Sequence, residues 1–238
     1  MKRRAAFFDV DGTLLTITSL FRFLAYDFAV RGEPEAYDDA MAALNRLKAA
    51  GASRVEANRA FFGQFAGRSV ADLRIGGERW FGFEQAAGEL FDPRVLTMLR
   101  AHLAAGDLVV LLSGSFAPCL GPIARCAGAD VVVCTEPEIV DGHYTGVVDR
   151  PMVGPHKVAA ARTVAGEYGI SLADCFSYGD DVSDAPVLEL VGNPVAVGDD
   201  PALAARAIRH GWQRIPAFEP SFDRPPFPSR LLEKKGRT

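Results

Sequence analysis

Phe7-Phe8-Asp9-Val10-Asp11-Gly12-Thr13 is the stretch that decides how this chain is read. It is entered through Ala5-Ala6-Phe7-Phe8, apolar at every position, as expected of a strand buried on both faces of a parallel sheet. Gly12 permits a sharp turn where that strand ends. Open α/β sheets bind ligands beyond the carboxyl ends of their strands, where Asp9 and Asp11 stand. Two carboxylates so placed repel each other unless a cation or a proton lies between them.

Working outward, short apolar runs at 108–112, 130–134, 175–178 and 194–197 predict further strands. Helical patterns occupy 92–105, 118–127, 156–168 and 201–209. Asp92-Pro93 is a good helix start and Gly106 a good stop. The alternation predicts an α/β fold, a three-layer Rossmann-like parallel sheet with helices on both faces. Residues 17–89 break the rhythm and read as helices only, at 19–30, 35–50, 54–65 and 70–80. A helical block directly after the first strand reads as a cap over the strand ends. Gly82, Gly88 and residues 16–19 are its expected hinges. Residues 136–149, with Asp141-Gly142 between two short runs, read as a β-hairpin. Residues 1–16 and 90–215 then form the core, and the Pro-rich segment 216–238 a loosely ordered tail.

A chain of 238 residues, 49% hydrophobic, can bury a large core. A net charge of −4 leaves no electrostatic footprint for nucleic acid. The basic start Met1-Lys2-Arg3-Arg4 is followed by too short an apolar run for a signal peptide, because Asp9 and Asp11 interrupt it. No run reaches the length of a membrane span, so a cytoplasmic protein without a membrane partner is expected. Cys119, Cys126, Cys134 and Cys175 show no CxxC pairing and read as reduced, buried thiols. Of the four histidines only His156 lies beside a motif.

Three further segments carry chemistry. Ser113-Gly114-Ser115 ends the second predicted strand, and a hydroxyl with backbone N–H groups at such a turn suits an anion. Lys157 opens a predicted helix, where a cation opposes the helix dipole and wants an anionic partner. Tyr178-Gly179-Asp180-Asp181-Val182-Ser183-Asp184 places three acids after another strand, costly unless solvated or bound to a cation. Mg²⁺ is usually held by one or two carboxylates plus phosphate and water, and Asp9 with Asp180 would supply them. Ser183 is also placed to cap the helix carrying Val187, Leu188 and Leu190.

In this order the four segments resemble the haloacid dehalogenase superfamily of phosphohydrolases, and the helical insert resembles that of its phosphoserine-phosphatase-like branch. The resemblance runs from about residue 4 to residue 215. It implies that Asp9 is a nucleophile forming an aspartyl phosphate, and that Asp11 protonates the leaving oxygen and then activates water. It further implies that Ser113, Gly114 and Lys157 hold the phosphoryl oxygens. Mg²⁺ would be held by Asp9, the Asp11 backbone carbonyl and Asp180, with Asp184 supporting from behind. The implied activity is Mg²⁺-dependent hydrolysis of a small phosphorylated metabolite. A phosphotransferase or phosphomutase on the same core, and a non-catalytic module binding a phosphorylated ligand, are the alternatives.

One departure is plain. Phosphoserine phosphatases carry an acid shortly after the Asp-x-Asp motif that reads the substrate's amino group, whereas Thr16-Ile17-Thr18-Ser19 contains none. A phosphate ester other than phosphoserine is expected. Arg22 and Arg59, with Arg68 and Arg79, are the insert's candidate contacts for an anionic substrate.

Overall fold

The computed structural model describes residues 4–224 and 226–227. Along the chain the strands are β1 (Ala5–Phe8), β2 (Leu108–Ser113), β3 (Val131–Cys134), β4 (Ile139–Val140), β5 (His143–Tyr144), β6 (Phe176–Gly179), β7 (Asn193–Val197) and β8 (Gln213–Ile215). The helices are α1 (Ser19–Arg31), α2 (Glu35–Ala49), α3 (Arg54–Phe62), α4 (Val70–Ala87), α5 (Pro93–Ala105), α6 (Ala117–Ala127), α7 (Pro155–Glu167), α8 (Ala185–Leu188) and α9 (Pro201–His210).

Six strands form one parallel sheet in the order β3-β2-β1-β6-β7-β8, and β4 with β5 forms the expected hairpin. Alternation of side chains along each strand builds the layers. Ala5 and Phe7 of β1 join Val110 of β2 and Ala161 and Val164 of α7 on one face. Ala6 and Phe8 join Val109 and Leu111 with Val95 and Leu99 of α5 on the other. The chain leaves β1 toward β2 on one side and returns through β6 on the other. The crevice at that switch opens at the carboxyl ends of β1 and β6, which stay paired one residue further through Asp9 N–H donating to the Tyr178 carbonyl at 2.9 Å.

Helix ends follow local chemistry. Asp92 accepts from the Arg94 and Val95 N–H groups to start α5 behind Pro93, and Ser53 with Glu56 forms a capping box that fixes the start of α3. The helical insert, α1 to α4, packs directly on the core. Its Phe23, Phe62, Phe65 and Trp80 continue the core of the α5 side, with the Phe65 ring tilted 4.9 Å and the Phe62 ring edge-on 5.3 Å from Phe116 at the head of α6.

Helices α4 and α6 cross with almost no space between them. A Cβ added at Gly77 would lie 1.9 Å from the Pro118 carbonyl oxygen. Gly77→Ala is therefore expected to push the helices apart and destabilise the protein by about 1–3 kcal/mol, as overpacking does. Urea denaturation reads this as a lowered midpoint, and an unchanged midpoint would mean the crossing is looser than described here.

Several expectations are corrected. Helix α4 runs on to Ala87 because Trp80, Phe81 and Glu84 keep its buried stripe going, so Gly82 lies inside a helix rather than at a hinge. Ser183 caps nothing: Asp181 caps the short turn at 182–184, and the Ser183 N–H donates to it. Strand β8 was not anticipated, being three residues at a half-exposed sheet edge. Cys119 and Cys175 are buried, but Cys126 is exposed. The described part of the tail is largely exposed but is anchored at Ser221, Arg224 and Phe227. Arg224 Nη1 donates to the buried Glu84 carboxylate at 2.9 Å and Nη2 to the Gly88 carbonyl at 2.6 Å, while Arg22 reaches Glu84 at 2.7 Å. Ser221 binds Glu89, and Phe227 packs on Tyr26. Position 225 and residues 228–238 lie outside the described residues. Among the described residues no helix is long and apolar enough to cross a membrane.

Candidate active site

The segments of β1, β2, α7 and β6 that carry the motifs converge on one cavity of about 460 Å³ at the strand ends. Asp9, Asp11, Ser113, Gly114, Lys157 and Asp180 all line it. Lys157 is buried in the first turn of α7, and its Nζ donates to Asp9 Oδ1 at 2.6 Å and to Asp184 Oδ1 at 2.7 Å. Burial alone would lower its pKa, but Asp184 and Asp9 more than offset this and raise it, so Lys157 stays charged. These are the anionic partners that a lysine at a helix N-terminus requires.

Asp11 faces the other way. Its Oδ1 accepts the Ser19 N–H at 2.9 Å, so it satisfies a free donor at the start of α1 in place of Thr18, whose side chain makes no cap bond. Withdrawal from water pushes the Asp11 pKa up to about 6, with Asp9 adding to the rise and Ser19 and Lys157 opposing it.

Asp180 is raised by burial first, then by Asp9 and Asp184, while Thr13 Oγ1 donates to it at 2.7 Å. Gly12 makes this approach possible: its φ is +82°, and a Cβ there would sit 2.3 Å from Asp180 Oδ2. Oxygens of Asp9, Asp180 and Asp184 lie within 4.8 Å of one another. Crowded, all-oxygen donors, with Asp180 and Asp184 both raised by burial and by the Asp9 charge, fit a hard divalent cation such as Mg²⁺.

The phosphate-side loop is braced from several directions. The Gly114 carbonyl accepts from Thr135 Oγ1 at 2.9 Å and from Asn58 Nδ2 of the insert at 3.1 Å. The Ser115 N–H donates to Ser113 Oγ at 3.1 Å, and Ser19 Oγ donates to Ser115 Oγ at 2.9 Å.

The arginines foreseen in the insert are placed elsewhere. Arg22 is bound to Glu84, Arg59 donates to the Val148 and Asp149 carbonyls, Arg68 pairs with Asp27, and Arg79 stands near Tyr26. None of the four lines the cavity. This corrects Arg22 and Arg59 as substrate contacts: their guanidinium groups are committed to other partners. The insert's cations at the cavity are Arg54 and Lys48. Arg54 reaches across the mouth to Asp181 Oδ1 at 2.7 Å. Its only local signal was a position directly after the Ser53 cap. His156 is structural, bound through Nδ1 to the Pro151 carbonyl.

The family model described as haloacid dehalogenase-like hydrolase matches residues 6–189. A protein from Mycobacterium tuberculosis named phosphoserine phosphatase SerB1 is 34% identical over 216 residues, covering 88% of this chain and 69% of that protein. A probable phosphatase from the same organism is 31% identical over 231 residues, covering 94% and 77%. The inhibition of morphological differentiation protein of Streptomyces azureus is 37% identical over 147 residues, 55% of this chain and 53% of that one. Among solved structures, a protein of unknown function from Bordetella pertussis superposes with a TM-score of 0.80 at 30% identity, over 92% of this chain and 100% of that one. A substrate-bound phosphoserine phosphatase gives 0.66 at 17% identity over 90% and 93%, a likeness of fold. The sheet order, the convergence of the four motifs and the match over residues 6–189 agree: the chain belongs to the haloacid dehalogenase-like hydrolase family and sits among its phosphatases.

Proposed function

We propose that this chain is a Mg²⁺-dependent phosphomonoesterase that works through an aspartyl phosphate on Asp9 and acts on a small phosphorylated metabolite. The observation that carries the reading is the pairing at the strand end. Asp9 is held by Lys157 at 2.6 Å, and two residues on stands a carboxyl whose pKa is pushed up to about 6. Asp9, fixed by Lys157, is placed to attack, and Asp11, buried beside it with a raised pKa, is placed to give and take a proton.

The Asp9 carboxylate attacks phosphorus, forming an O–P bond as the ester P–O bond breaks. Asp11 gives its proton to the departing alkoxide. Asp11, now ionised, takes a proton from water, which attacks the acyl phosphate and releases Asp9 and inorganic phosphate. Lys157, Ser113 and the braced Gly114 loop hold the phosphoryl oxygens, since phosphoryl transfer depends on positioning and charge neutralisation. Asp9 and Asp180, with the Asp11 backbone carbonyl, would hold Mg²⁺, and Asp184 would support Lys157. Mg²⁺, when bound, supplies positive charge against the phosphoryl oxygens.

We read the insert as a cap. Through Asp11, which receives the first N–H of α1, and Asn58, which holds Gly114, it touches both the proton donor and the phosphate loop. Arg54 and Lys48 favour a substrate that is anionic beyond its phosphate. The four free cysteines support a cytoplasmic setting.

The test is phosphate release from a panel of phosphorylated metabolites with Mg²⁺ and with EDTA, tracking phosphorylated acceptor as well as free phosphate. Release that depends on Mg²⁺ is expected. Phosphorylated acceptor without free phosphate would identify a transferase, and silence across the panel would overturn the reading.

A further inference from the structure

We propose that the alcohol released by this enzyme has a hydrocarbon body and carries no ammonium group. The inference rests on the phosphatase reading above and concerns the half of the cavity away from the aspartates. That half is supplied by the insert. Its wall is Leu20 and Phe21 of α1, Leu44 of α2, and Ala57 and Phe61 of α3. Phe21 and Phe61 form a tilted ring pair 5.6 Å apart, and Leu20, Leu44, Ala57 and Phe61 are buried.

Leu44 is the clearest sign. Helix α2 packs on the core through the half-buried Tyr37, Ala40 and Met41, and Leu44, its one fully buried residue, carries that apolar stripe to the cavity wall. The remaining insert groups at the cavity are Thr18, Ala52, Asn58 and the cations Lys48 and Arg54. No carboxylate comes from the insert. The acids that line the cavity, Asp9, Asp11, Asp180 and Asp181, all stand at strand ends of the core. Asp181 is already paired with Arg54 and with the Ser183 N–H.

An ammonium group on the leaving alcohol, seated in the insert's half, would thus meet Lys48, the Arg54–Asp181 pair and an apolar wall, and would lose hydration with no carboxylate of the insert to receive it. Methylene groups in the same place would be removed from water against Phe21 and Leu44. Each one buried is worth about a fourfold gain in kcat/KM.

Three esters sharing a carboxylate separate the terms: 6-phosphooxyhexanoate, 3-phosphooxypropionate and phosphoserine. The expected order of kcat/KM is hexanoate, then propionate, then phosphoserine, with at least about tenfold between first and last. Phe21→Ala should reduce the hexanoate advantage several-fold, chiefly through KM, because it removes binding surface common to ground and transition states. A circular dichroism spectrum and melting temperature close to wild type show that the variant is folded. Phosphoserine equal to or better than the other two overturns the inference while leaving the phosphatase reading in place. Failure of all three esters, together with the whole panel above, overturns the phosphatase reading itself.

Discussion

Asp9→Asn is expected to lower kcat by at least about 10⁴-fold, the scale on which removal of a covalent nucleophile acts in other enzymes. The replacement keeps the shape of the side chain and an oxygen that can accept from Lys157 Nζ, a contact now made at 2.6 Å. It also removes one negative charge from a cluster in which Asp180 and Asp184 are both raised by burial and by their neighbours. Folding stability should therefore hold or rise while turnover disappears. Steady-state kinetics with Mg²⁺ and a thermal melt on the same preparation check both halves. A variant that keeps more than about one hundredth of wild-type turnover would remove Asp9 from the nucleophile's role, since a displaced covalent step is not so easily bypassed.

Lys157→Met is expected to act on stability as well as turnover. Methionine fills a similar volume, but Asp9 and Asp184 then lose the cation they share. Breaking a buried pair by deleting one partner costs about 3–5 kcal/mol, because the remaining charge stays uncompensated. The pH dependence has a definite sign. Without Lys157 the two carboxyls are driven up in the folded state, which then holds protons that the unfolded chain releases. The variant should regain stability as the pH falls from about 8 toward about 5, while wild type changes less. Melting temperature against pH is the measurement, and a deficit independent of pH would show that packing, not charge, is what Lys157 provides. Turnover should fall by at least about 10³-fold, since the phosphoryl oxygens lose a fixed charge in a site shielded from water.

The core of this architecture was legible in the sequence. Asp9, Ser113, Lys157 and Asp180 each follow a strand or open a helix with a recognisable start, so local pattern places them at one edge of the sheet. What local pattern does not hold is who pairs with whom across the chain. Arg54, Asn58 and Glu84 derive their roles from partners at Asp181, Gly114 and Arg224. An arginine in an amphipathic helix looks the same whether it faces a cavity or a neighbouring carboxylate. Arg22 and Arg59 were for that reason as plausible as Arg54. Strand β8 escaped for a related reason: three residues, two of them exposed, carry no periodicity.

The Glu84 clasp bears on how far the insert depends on the rest of the chain. Arg22 can reach Glu84 within the insert, but Arg224 stands 140 residues further on, beyond every strand of the sheet. The helical block therefore does not attain its lowest free energy by itself. Within the insert Arg22 is a counter-ion to Glu84, and the segment after β8 adds Arg224, which binds the same carboxylate and the Gly88 carbonyl. The set of the insert over the aspartates is therefore expected to depend on the segment that follows β8. A chain cut between Ile215 and Arg224 would be expected to keep its sheet and leave that clasp open.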